Sequence, residues 1–187
     1  MGDFVVYHWE VYPSATDPDQ VGTSVIKSPK ALNLEIPGPG IADIAAANGY
    51  ITGFSTSRGT PQSNPGKHMA VNIMVLRFPG PDQANAAQAA FAAQKVTSDG
   101  STDVRPMAIP GHPEAAGLAQ TLSNGRPSVS AFSAHGPFVF FVFTQTDDTP
   151  DAAAAAVGKA LDLQGPRIDQ FQPTDPAQLA TMNTDPS

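Results

Sequence analysis

Four histidines, His8, His68, His112 and His135, are the side chains in this sequence best suited to acid–base or metal chemistry. None forms an HxH or HxxxH pair, and no glutamate stands at metal-ligand spacing beside one, so a zinc site would need three of them to converge through the fold. His112 lies in Ile109-Pro110-Gly111-His112-Pro113 and His135 in Ala134-His135-Gly136-Pro137, both rigid turns. A turn histidine is ordinarily a solvated hydrogen bonder. Arg58, His112 and His135 are nevertheless the candidate ligand-binding residues, expected to line one pocket.

Other chemical motifs fall short. Gly53-Phe54-Ser55-Thr56-Ser57 stops one glycine short of a nucleophile elbow and sits inside a strand pattern, not at a strand-to-helix turn. In Asp147-Asp148-Thr149-Pro150-Asp151 the proline places a helix start amid the acids, so they complement a helix dipole better than they hold a metal. There is no GxxxxGK[ST] or GxGxxG phosphate cradle. With no cysteine, disulfides, thiolate metal sites and cysteine nucleophiles are all excluded. No catalytic residue, metal or cofactor is expected.

Composition bounds what these residues can serve. Of 187 residues, 41% are hydrophobic, enough to bury the core of one domain, while 14% are charged, against roughly 25% in typical soluble domains. The surface must therefore lean on Gln, Asn, Ser, Thr and Ala. A net charge of −7 with no Lys/Arg cluster disfavours nucleic acid. No run approaches the ~20 apolar residues of a membrane span. The start, Met1-Gly2-Asp3-Phe4, carries no export signal, which fits either a cytoplasmic protein or a chain whose signal has been removed.

The elements that must position these residues follow from periodicity. Residues 4–12, rich in aromatic and β-branched types, read as a strand, and residues 13–39, punctuated by Pro and Gly, as a long irregular connection. A short helix is predicted over 41–48 and strands over 50–57 and 68–78, the latter central and covered on both faces. Pro79-Gly80-Pro81-Asp82 opens an Ala-rich helix to about residue 96. Strands are predicted over 104–109, 117–122, 128–133 and 138–146, with Asn124-Gly125 as a hairpin turn. Thr149 caps a last helix that Gly165-Pro166 should stop. Trp9 and the phenylalanines read as core.

Hairpin joins with few helices predict an α+β fold: a mainly antiparallel sheet with Ala-rich helices packed on one side. Phe54-Ser55-Thr56-Ser57-Arg58-Gly59 echoes Phe132-Ser133-Ala134-His135-Gly136, 78 residues later, which suggests a duplicated ββα unit. Residues 1–166 form the expected domain. Residues 167–187 form an extended tail, a linker toward a further C-terminal domain.

Several segments together resemble a known family. They are Tyr50 to Arg58, Val71 to Pro79 with its Ala-rich helix, Ile109 to Pro113, Ala134 to Phe138, and Leu161 to Pro166 with Ile168-Asp169 and Pro173-Thr174. The set resembles the N-terminal domain of mycobacterial and related actinobacterial lipoproteins, a domain of unknown function. The strand–helix rhythm is also distantly similar to extracytoplasmic sensor domains of such bacteria. The resemblance implies a secreted cell-envelope protein with a membrane-bound lipid anchor and a second domain. The lipobox cysteine of such an anchor is not in this sequence. No catalytic residues carry over.

The expected function is a non-enzymatic binding or interaction module for an envelope lipid or protein partner. One alternative is a structural or assembly subunit, for which a sheet edge would serve as the homo-oligomeric contact. Another is a hydrolase whose site gathers Arg58, His112, His135 and Asp147.

Overall fold

The computed structural model describes residues 1–172. After a 3₁₀ turn at Gly2–Phe4 come α1 (His8–Val11), β1 (Asp17–Ile26), α2 (Pro29–Leu32) and α3 (Ile41–Ala47). The hairpin β2 (Thr52–Gly59) and β3 (Met69–Arg77) leads into α4 (Pro81–Ala93). Then follow β4 (Thr102–Pro106), β5 (Ala116–Thr121), β6 (Pro127–His135), β7 (Phe138–Thr146) and α5 (Pro150–Ile168). The strands form one sheet in the order β1-β2-β3-β7-β6-β5-β4, every neighbouring pair antiparallel.

The α+β class and the antiparallel sheet are as expected, but the helices divide between both faces. The period-2 alternation of β3 and β7 decides this. Val71, Ile73, Val75, Phe138, Phe140 and Val142 point to the face packed by α5. Met74, Leu76, Val139 and Phe141 point to the opposite face, with Phe91 of α4 and Ile41 of α3. Ala84, Ala87 and Phe91 of α4 are buried at helical spacing, the alanines allowing a close approach to the sheet.

This division also bears on the suspected duplication. The order strand–strand–helix does recur, as β2-β3-α4 and β6-β7-α5. The two hairpins meet antiparallel at β3 and β7, so the rotation relating them keeps the faces of the sheet, whereas α4 and α5 lie on opposite faces. The connectivity repeats; the hand does not.

Residues 4–12 are not a strand. Val5 and Val6 are both buried, and His8 and Val11 are buried at helical spacing, so the period-2 pattern fails. The backbone is satisfied from elsewhere: Glu10 Oε2 accepts the Tyr7 N–H at 3.0 Å, and Gln164 Oε1 accepts that of Val6 at 3.0 Å. Trp9 is not core either; it is 49% exposed and stacks on Tyr7 at 4.6 Å. Residues 13–39, expected to be irregular, contain β1, an edge strand that tolerates Pro18 and breaks register between Pro18 and Thr23, where Gly22 has φ +67°.

Nor does Gly165-Pro166 stop α5. The ring of Pro166 lies on the exposed side of the helix, so the carbonyl it leaves unbonded within the helix is on the solvent side. Beyond it Arg167 forms a bidentate pair with Glu10, both bonds 2.7 Å, and holds the last turn. Phe171 packs on Phe4 and Phe138. The rest of the expected tail, with Pro173, Pro176 and Leu179, lies outside the described residues.

Candidate functional site

Two adjacent ladders cross the middle of the sheet on the α4 side. One, through Met74, Phe141 and Phe132, is apolar and packs beneath the helix. The next runs through Ser57, Asn72, Phe143 and Ser130 and is largely polar. Residues 35–37, ahead of α3, and residues 96–98, after α4, stand at its border and leave a cleft of about 180 Å³. Gln120 Oε1 accepts the Ser98 N–H at 3.0 Å, which ties one wall to β5.

The cleft has an electrostatic character that its composition does not announce. Asn72 is 6% exposed, and its Oδ1 has no hydrogen-bond partner among the described residues. Glu35 accepts the Ser24 hydroxyl on Oε1 at 2.7 Å, while its Oε2 is buried without a donor. A buried acceptor left unpaired costs roughly 1–3 kcal/mol. No Lys, Arg or His is among the described residues lining the cleft. Nearby, Tyr50 donates to the Ile26 carbonyl oxygen at 2.8 Å; burial, and after it the charge of Glu35, pushes its hydroxyl pKa up.

The histidines predicted from the turns do meet, without Arg58. His112 and His135 line a second cleft of about 250 Å³ at the end of β6, together with Ser133, Asp162 and Gly165. His112 Nδ1 lies 3.1 Å from Glu114 and Nε2 3.0 Å from Asp162; His135 Nε2 lies 2.7 Å from Asp169. The Glu114 carboxyl is held below its ordinary pKa by its own backbone N–H first and by His112 after it. Ser133 makes no hydrogen bond to either ring, so nucleophile and base are not joined. The cleft reads as two turns fastened to α5 by histidine–carboxylate pairs.

Arg58 belongs to a third cleft, on the α5 side of β2, with His8, Trp9, Phe54 and Thr56. Its Nη1 donates to the Ser57 carbonyl oxygen at 2.8 Å. Asp147 accepts the His68 N–H on Oδ1 at 2.8 Å and serves as a turn acceptor. Of the four side chains of a scattered hydrolase site, His112 and His135 share a cleft, while Arg58 and Asp147 lie elsewhere. Among the described residues no group of three or more His, Asp or Glu could hold a metal, and no helix is long and apolar enough to cross a membrane.

Sequence reasoning missed Asn72 and Glu35. For Asn72 a signal existed: an amide inside a strand otherwise apolar on both faces is a buried polar group waiting for an explanation. Glu35 sits in a stretch with no period to read.

The fold and the cleft define a class: a seven-stranded antiparallel sheet with a helix on each face and a polar-floored cleft beside one of them. Residues 1–184 match the family described as "Domain of unknown function (DUF7373) N-terminal", and the chain belongs to that family. Its structure is similar to that of the extracellular domain of PknH from Mycobacterium tuberculosis, with a TM-score of 0.55 and 17% sequence identity, over 88% of this chain and 94% of that one. At that identity the likeness is one of fold. No curated protein matches the chain.

Proposed function

We propose that this chain is an extracytoplasmic, non-enzymatic binding module of the cell envelope that holds a small ligand in the cleft over Asn72. The observation that carries the proposal is the pair of buried acceptor oxygens, Asn72 Oδ1 and Glu35 Oε2, left without donors in a cleft among Phe141, Phe143 and Met74. Apolar walls with a few convergent polar groups are the usual make-up of a ligand site. The extracytoplasmic placement is supported by the fold shared with the PknH extracellular domain, and it accords with the lipoprotein family that the sequence resembles.

The test is native mass spectrometry of protein purified from an actinobacterial host, compared with Asn72→Leu. The wild type is expected to carry mass above its 19.4 kDa chain and the variant to lose it. Leucine nearly matches asparagine in volume and removes the unpaired acceptor, so Asn72→Leu should also melt at the wild-type temperature or above it. Bare protein from both preparations would overturn the binding reading.

A further inference from the structure

The polar atoms of the cleft also restrict what it holds. We infer that its ligand presents a small protonated amine, an inference that rests on the binding reading above. Both unpartnered oxygens are acceptors: Asn72 Oδ1 is an amide carbonyl, and a carboxylate such as Glu35 has no hydrogen to give. A ligand that satisfies both must bring at least two donors. An anion is repelled, because Glu35 brings a negative charge and no described lining residue brings a cation.

An ammonium group has three donors and no acceptor, which suits the two lining oxygens that have no donor. Its N–H groups serve Asn72 and Glu35, within a cleft that also carries the hydroxyl of Ser130. Phe141 and Phe143 add aromatic surface of the kind that attracts cations. Burial strengthens each contact, since the amine and Glu35 meet where water is scarce.

Size limits the ligand further. A cleft of about 180 Å³ is below the ~300–1,000 Å³ of sites that enclose drug-sized molecules, so it takes a head group and not an acyl chain. The ammonium therefore comes from a free small amine or from the head group of an aminolipid whose chains stay in the membrane. The recognised chemistry is the same.

Isothermal titration of the whole protein with ethanolamine, against glycerol and acetate as neutral and anionic controls, tests this. Ethanolamine is expected to bind and the controls to be silent. Glu35→Gln, which keeps the shape and removes the charge, should weaken ethanolamine at least tenfold while the thermal unfolding midpoint stays within a few degrees. Flotation with vesicles of phosphatidylethanolamine in phosphatidylcholine, against phosphatidylcholine alone, separates the sources. Selective flotation supports the lipid head group, and ethanolamine binding without flotation supports the free amine. If glycerol or acetate binds as well as ethanolamine, or Glu35→Gln binds it undiminished, the ammonium inference falls and the binding module stands. If ethanolamine does not bind, the inference falls as well. The binding module falls with it only if the Asn72→Leu comparison also finds bare protein.

Discussion

His8 is held against β2 with its Nε2–H donated to the Thr56 carbonyl oxygen at 3.0 Å. Burial pushes its pKa below the ordinary 6.5, outweighing the Thr56 bond that raises it, and Arg58 lowers it further. The unfolded chain therefore binds the proton more readily than the native one. The stability conferred by neutral His8 is complete above about pH 6.5 and is lost as pH falls through the lower folded value. His8→Gln should flatten this component: the gap between wild-type and variant unfolding free energies should shift toward the variant between pH 7 and pH 5. A gap constant across that range would contradict the burial argument. At this scale the sequence showed which residues are chemically able, but not which are unpaired. Turn signals brought out His112 and His135, and the fold joins them, yet to carboxylates of α5 that no local spacing could have indicated. Asn72 was visible only as an exception inside β3, and its meaning depended on residues 35–37 standing across from it.

Elements that follow local rules were legible, and those held by distant partners were not. β7 spans residues 138–146 as its aromatic run predicts, and Thr149 caps α5 by accepting the Ala152 N–H at 3.2 Å. Residues 4–12 have strand composition, but Gln164 and Glu10 satisfy their backbone and override it. Helix α5 shows the same tension at Gly158. By propensity alone, Gly158→Ala should stabilise a helix interior by about 1 kcal/mol. A Cβ there would stand 2.6 Å from the Pro110 carbonyl oxygen, which is backbone and cannot swing aside. The loop bearing His112 would be pushed off the helix. The expected outcome of Gly158→Ala is a loss of about 1–3 kcal/mol in chemical denaturation. A neutral or raised stability would show that the helix-to-loop approach is not tight.

Seen whole, the molecule ends its sheet in two strands that discourage further pairing. β1 carries Pro18 and a register break. β4 is exposed throughout, with Asp103 at φ +53°, Arg105, Pro106 and a second break between Thr102 and Arg105. Such edges resist a second copy. Light scattering should return a mass near 19.4 kDa at tens of micromolar, and twice that value would mean the edges are not blocked. The fold class was readable because hairpins are local. The partition of helices between faces was not, because it depends on which way each chain leaves the sheet.

The contact between the N-terminal segment and α5 closes a loop of more than 150 residues. Phe4, Val6 and Glu10 find their partners in Gln164 and Arg167, more than 150 residues later. The same segment is fastened to β2 and the loop after it through Thr56 and Lys67, so it ties the sheet to the end of α5. Loosening the last turn of α5 therefore loosens the N-terminal segment with it, although the two lie more than 150 residues apart.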